Sequence, residues 1–202
     1  GTWTTWSGGP TEAAIHTHSD AWETWFQTHL PDVERVLYLI DEPPKKDYAR
    51  TEREACWVKQ NPGPGSALKT LVTLPLDHAA RYLRSVDVPA ALAGFAQTAK
   101  YKAAYAKLRA AGKQIFMYNG VRPGSGSFAT EDDGTSLRQI PWAQFKMGVD
   151  RWFYWQSTYY NDFQAKRGQT DVFTTAQTFG ATTQFDTTHG QQGHNATNGD
   201  GV

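Results

Sequence analysis

A single cysteine, Cys56, excludes an internal disulfide framework. It lies in a predicted helix, where a free thiol behaves as an inert core group. Basic and acidic residues balance at twenty each, so nothing argues for a nucleic-acid or polyanion partner. No apolar stretch is long enough to span a bilayer. No glycine-rich phosphate loop comes after any predicted strand, which lowers the nucleotide-binding reading. No signal peptide is visible, and the chain starts at Gly1 rather than Met. Aromatic residues, by contrast, are plentiful at 13%, with eight Trp, nine Tyr and ten Phe. They can fill a core, and they also offer flat apolar platforms to sugar rings. The 202 residues suffice for one domain with a real core.

The chain reads as alternating strands and helices. Residues 1–18 are Trp-, Thr- and Gly-rich without clear periodicity. Ser19 to Leu30 is a predicted helix, with Ser19 as N-cap and Trp22, Trp25 and Phe26 on one face. Val36 to Ile40 is a strand and Lys45 to Gln60 a helix. A turn-rich connector runs from Asn61 to Ser66. Leu68 to Leu74 is a strand, Asp77 to Arg84 a short helix, and Val86 to Leu92 a strand interrupted by Pro89. Phe95 to Ala111 has the strongest helical composition and is stopped by Gly112. Gln114 to Tyr118 is a strand. Pro141 to Val149 is a helix with Pro141 in its first turn. Arg151 to Tyr159 is a last, aromatic strand.

Short links between about five strands and their helices predict parallel strands with crossover helices, an α/β fold. A full (β/α) TIM-type barrel needs roughly 250 residues. The expectation is therefore a partial or C-terminal portion of such a barrel over residues 1–160. A long polar loop over 161–202 leads into a truncated motif. An open doubly wound sheet is the alternative.

The most informative run is Val36-Leu37-Tyr38-Leu39-Ile40-Asp41-Glu42-Pro43-Pro44. A continuous apolar run reads as a strand buried on both faces. The prolines end its ladder. Two carboxylates therefore stand at the mouth of a buried strand, where parallel α/β folds do their chemistry. A solvated loop or a helix cap is the plain alternative. As a glycosidase pair, neighbouring acids fit poorly. Such enzymes space their carboxyls about 5–5.5 Å apart to retain, or about 6.5–9.5 Å apart to invert, across the scissile bond. Residues adjacent on a strand tend to point to opposite faces. Substrate assistance fits better. There the sugar's own 2-acetamido oxygen attacks the anomeric carbon, one carboxylate orients the amide, and the other protonates the leaving oxygen. Glu42 would then need a partly desolvated setting to stay protonated.

Other strand ends add candidates. Tyr118-Asn119-Gly120 is either a simple turn or a hydrogen-bonding contribution from Asn119 to a sugar hydroxyl. Trp152-Phe153-Tyr154-Trp155 and the residues after it offer Trp155, Tyr159 and Tyr160 as stacking groups with polar rims.

These motifs resemble the family-123 glycoside hydrolases, within the wider group called domain of unknown function 4091. The resemblance rests on Tyr-Leu-Ile-Asp-Glu-Pro at 38–43, Tyr-Asn-Gly at 118–120, Trp-Phe-Tyr-Trp at 152–155 and Asn-Gly-Asp-Gly-Val at 198–202. It implies a (β/α)-barrel and a retaining β-N-acetylgalactosaminidase working by substrate assistance. By position, Glu42 is similar to the general acid/base, and Asp41 to the group that holds the acetamide. Tyr38 belongs with the implied substrate-binding residues. A glycan or glycoconjugate is the implied partner, with no cofactor. The family has more strands before this motif and usually continues past Asn-Gly-Asp-Gly. A piece of a longer enzyme is therefore the expectation, in a secreted or periplasmic setting.

Two rivals come from other chemistries. His16-Thr17-His18 on a strand would put two imidazoles on one face as metal ligands, with His189 and His194 adding to them; the family resemblance instead leaves room for His16 or His18 to bind substrate. A non-catalytic carbohydrate-binding domain would use the aromatic platforms alone, but has no need of an acid pair. Asn195-Ala196-Thr197 matches a glycosylation sequon, with chance as the better explanation. Lys45-Lys46 and Arg50 to Glu54 read as a solvated helical face with local ion pairs.

Overall fold

A computed structural model describes residues 1–9, 11–92, 98–118 and 134–154. The chain divides into two compact units. The first comprises Gly1–Leu92 and Gln97–Phe116, the second Ala93–Ala96 and Met117–Val202.

The first unit is α/β. Its strands β1 (Thr2–Thr5), β2 (Arg35–Ile40), β3 (Lys69–Thr73) and β4 (Val88–Leu92) lie side by side in chain order, and every pairing is parallel. Helices α1 (Glu12–His29), α2 (Tyr48–Gln60) and α3 (Leu76–Tyr82) make the crossovers, and α4 (Ala99–Ala110) comes after β4. A doubly wound sheet reverses its strand order at a switch point. These four strands show no reversal, an order compatible with part of a barrel. Among the described residues no helix is long and apolar enough to cross a membrane.

The core forms on the helix side of the sheet. Leu37, Leu39, Val72 and Leu74 meet Ile15, Phe26, Ala55 and Val58 from α1 and α2. The other face of β2 is less covered than a strand buried on both sides, for Tyr38 is only half-buried, while half-buried Ile40 packs against the helix-side core. Pro89 sits within β4 without breaking the β3–β4 ladder. Just past the end of β3 the Leu74 N–H donates to the Ala90 carbonyl at 2.8 Å, so the neighbouring Pro89 nitrogen turns the other way.

Helix α1 begins earlier than the sequence pattern predicts. Thr11 caps it by accepting the Ala14 N–H at 3.2 Å. Ser19 is a buried mid-helix residue. Its hydroxyl donates to the His16 carbonyl and accepts from the Asn61 side-chain amide at 3.0 Å. The connector after α2 contains a short 3-10 turn, Pro64–Ala67, that docks on α1 here. A Cβ on Gly65 would collide with the Ser19 Oγ, so only glycine permits the approach. Asp20 Oδ1 accepts both the Gly65 N–H and the Asn61 amide at 2.8 Å.

Charge is used sparingly inside. Glu23 on α1 is fully buried and pairs with Arg35 at the start of β2, at 3.1 Å to Nε and 2.9 Å to Nη2. Glu54 on α2 departs from the expected solvated face. It is 5% exposed, with Arg50 Nε at 3.8 Å. Burial raises its carboxyl above the usual range, against the pull of Arg50. Cys56 is half-buried on α2 and free.

The start of α4 is Ala99, capped by Thr98, and Gly112 takes φ +72° just past its end. Strand β5 (Phe116–Tyr118) enters the second unit at Met117 and lies beside β6 (Arg151–Phe153), and α5 (Gly134–Met147) precedes β6. Pro141 is inside α5 rather than in its first turn, because the helix already runs from Gly134. The rest of the predicted last strand and the 161–202 segment lie outside the described residues.

The two buried acids should respond differently to substitution. Glu23→Ala strands the Arg35 guanidinium and should cost about 3 kcal/mol in urea unfolding, as breaking a buried pair does. Glu54 is different. Its folded carboxyl holds its proton more tightly than the unfolded one, so ionisation destabilises the fold as pH rises above the unfolded value. Glu54→Gln should raise Tm at pH 7, with the gain vanishing below about pH 4.

Candidate active site

The site forms where β2 and β3 end. Their register runs Val36–Lys69, Leu37–Thr70, Tyr38–Leu71, and then Ile40–Val72. Leu39 is thus an extra residue on β2. Such an insertion bends a strand and re-aims the residues after it. Tyr38 and Asp41 are three apart, and regular alternation would send them to opposite faces. With the insertion, both reach the same hydroxyl on the neighbouring strand, that of Thr73.

The hydrogen bonds close as a set. Asp41 Oδ1 accepts the Tyr38 hydroxyl at 2.5 Å and the Thr73 hydroxyl at 2.7 Å. Thr73 Oγ1, its proton given to Asp41, accepts the Glu42 backbone N–H at 2.7 Å. The Tyr38 and Thr73 oxygens are 3.0 Å apart. Each hydroxyl has one proton, and both protons go to one carboxylate oxygen. Among the described residues Asp41 Oδ2 takes no hydrogen bond. Burial holds the Tyr38 phenol far above the ordinary tyrosine range, and the hydrogen bond to Asp41 and the charges of Asp41 and Glu42 add to this, with Thr73 opposing. Tyr38 is therefore a fixed donor at any working pH.

Glu42 has φ +40°, and it is the one non-glycine residue with positive φ among those described. A residue before proline is ordinarily driven to extended backbone, so Pro43 sharpens the departure. Left-handed backbone costs a non-glycine residue about 1–2 kcal/mol. The Thr73 bond to the Glu42 N–H offsets part of that cost. Both acids are solvent-exposed, so the described residues do not supply the desolvated setting expected for Glu42.

Trp3 on β1 flanks the site. Its ring centroid is 5.5 Å from that of Tyr38, and the indole is 55% exposed. Neither Trp3 nor Thr73 stands out in the sequence. Trp3 sits in a four-residue strand with no apolar run, and Thr73 acquires its role only through the β2–β3 register.

Tyr118 is buried at the end of β5, with its ring stacked on Phe153 at 5.7 Å. Asn119, Trp155, Tyr159 and Tyr160 lie outside the described residues, as do His189 and His194. The premise of the His16–His18 metal pair fails, because both lie on helix α1 rather than on a strand. Residues two apart on a helix do not face one another. His16 Nε2 is 2.9 Å from the Trp57 carbonyl, and His18 meets the Trp6 ring edge-on. Burial lowers the His18 imidazole below its ordinary range, with the Thr5 backbone opposing. No group of three or more His, Cys, Asp or Glu able to hold a metal occurs among the described residues.

No protein-family model and no curated protein matches this chain. Among solved structures, the clostridial cellulose synthase subunit Z (CcsZ) from Clostridioides difficile superposes with a TM-score of 0.42 and 13% identity, over 80% of this chain and 65% of that one. This chain thus spans less than two thirds of that protein's length, and a likeness of this size carries no functional information.

The left-handed Glu42 has a direct signature. Glu42→Gly should be more stable than Glu42→Ala by about 1 kcal/mol, since only glycine adopts that backbone without steric cost. Paired urea titrations of the two variants measure it.

Proposed function

We propose that this chain carries the catalytic corner of a retaining glycoside hydrolase acting on a β-linked 2-acetamido sugar, of the β-N-acetylgalactosaminidase kind. One observation carries the reading. Asp41 is anchored through Oδ1 by two hydroxyls, its Oδ2 faces no donor among the described residues, and Glu42 is turned aside by left-handed backbone at the same strand mouth. An acceptor held this way suits the N–H of an acetamide. The resemblance of residues 38–43 to the family-123 glycoside hydrolases supports the same roles, and so does a parallel α/β unit of barrel-compatible order.

In the proposed reaction Asp41 accepts the acetamide N–H and orients its oxygen toward the anomeric carbon. That oxygen forms the new bond while the glycosidic bond breaks. Glu42 gives its proton to the leaving oxygen. Glu42, now a carboxylate, takes a proton from water, and the water oxygen opens the bicyclic intermediate with overall retention. The exposed Trp3 ring offers a stacking surface for the sugar. A bound sugar would also exclude water from Glu42. No metal or organic cofactor enters the scheme.

The exposed Trp3 equally suits a second reading, a carbohydrate-binding domain without catalysis. Aryl β-N-acetylgalactosaminide, aryl β-N-acetylglucosaminide and aryl β-galactoside separate the two. Turnover of acetamido sugars only is expected, lost by about 100-fold or more in Glu42→Gln, on the scale of general acid catalysis. Binding of those sugars without turnover, by folded chain, would favour the binder. Equal turnover of plain galactoside would remove substrate assistance.

A further inference from the structure

We infer that Thr73 is a positioning residue that sets Asp41 and Glu42 together, so that one hydroxyl on β3 governs both halves of the proposed reaction. The inference deepens the glycosidase reading and rests on it for its catalytic part. Thr73 touches neither substrate nor reacting atoms in the proposed scheme. It acts through two others. Its proton goes to Asp41 Oδ1 at 2.7 Å, and its lone pair takes the Glu42 N–H at 2.7 Å. The residue itself is 1% exposed, at the last position of β3, between buried Val72 and Leu74. A buried hydroxyl on a central strand cannot easily shift, so it is a rigid reference for two residues that lie beyond the end of β2. Tyr38 supports Asp41 through the 2.5 Å bond to the same oxygen. Thr73 does more, because it holds both acids through one atom.

Removing the hydroxyl has two separable consequences. Asp41 keeps the Tyr38 bond but loses its second donor, and is free to turn about its side-chain torsions. The Glu42 N–H loses the Thr73 acceptor, and with it a tie that holds a disfavoured backbone. Misplacement of about 1 Å in a catalytic group costs about 100-fold in rate. Thr73 itself touches no substrate, and the Asp41 contact to the acetamide is loosened rather than removed, so the larger part of the loss belongs in kcat rather than KM.

The test compares the full chain with Thr73→Val, Thr73→Ser and Thr73→Ala. Thr73→Val preserves shape without the hydroxyl, Thr73→Ser restores the hydroxyl without the methyl, and Thr73→Ala serves if Thr73→Val does not fold. Two readouts are taken. One is kcat and KM on aryl β-N-acetylgalactosaminide. The other is hydrogen exchange of the Glu42 amide by NMR, which needs no activity. Thr73→Val should lose about 100-fold in kcat with KM within about threefold. Glu42 exchange should rise about tenfold or more once the hydroxyl that accepts its N–H is gone. Thr73→Ser should return both toward the parent. Unchanged kcat in folded Thr73→Val would overturn the inference, and so would a loss that Thr73→Ser fails to restore. If the parent chain leaves acetamido sugars uncut, the glycosidase reading falls. The exchange arm then still decides whether Thr73 holds the corner. Unchanged Glu42 exchange in Thr73→Val would overturn that part alone.

Discussion

The Thr73 hydroxyl holds a position that three other groups depend on: the Asp41 carboxylate, the Glu42 amide and, at 3.0 Å, the Tyr38 phenol. It can do so because the β2–β3 ladder slips by one residue just below it. Without the extra Leu39, strand alternation would direct Tyr38 and Asp41 to opposite faces, and the corner would not close. A backbone irregularity thus comes before the chemistry. It gives up one ladder position and brings two acids and two hydroxyls to a single strand mouth.

The rest of the first unit is arranged so that this irregularity is tolerated. The helix side of the sheet is an apolar layer in which Leu37, Leu39 and Val72 are essentially excluded from water. Leu39, the inserted residue, packs into that layer, so the bulge is anchored by hydrophobic burial rather than left loose. The buried Glu23–Arg35 pair fixes the entry to β2, and the glycine-lined contact between α1 and the 61–67 connector fixes the approach to β3. The strained residue, Glu42, lies outside the packed layer, at the surface, where its cost is local.

Much of this is legible in residue order. The apolar run 36–40 ends on two acids and two prolines, which marks both a strand and its mouth. Gly112 marks the end of α4, and the alternation of elements marks a parallel α/β fold. The elements that escape do so for physical reasons. β1 is Thr-Trp-Thr-Thr, too short and polar to show a pattern, and it becomes a strand only by pairing with β2. The first half of α1 hides because Ile15 is its one large apolar residue, while buried Ser19 takes the place of a hydrophobe. Pro141 suggests a helix start, yet α5 continues through it. Thr73 is beyond reach. Its importance depends on which residue of β2 it faces, and a one-residue slip in register decides that.

The central claim is that Asp41, held by two hydroxyls on one oxygen, presents the other to an acetamide. Calorimetric titration with an N-acetylgalactosamine-derived thiazoline, a stable mimic of the bicyclic intermediate, tests it most directly. The parent chain should bind this compound at least about 100-fold more tightly than N-acetylgalactosamine itself, as transition-state-like ligands do, and Asp41→Asn should abolish the preference while remaining folded. Equal affinity for the two compounds, or a preference that survives Asp41→Asn, would contradict it.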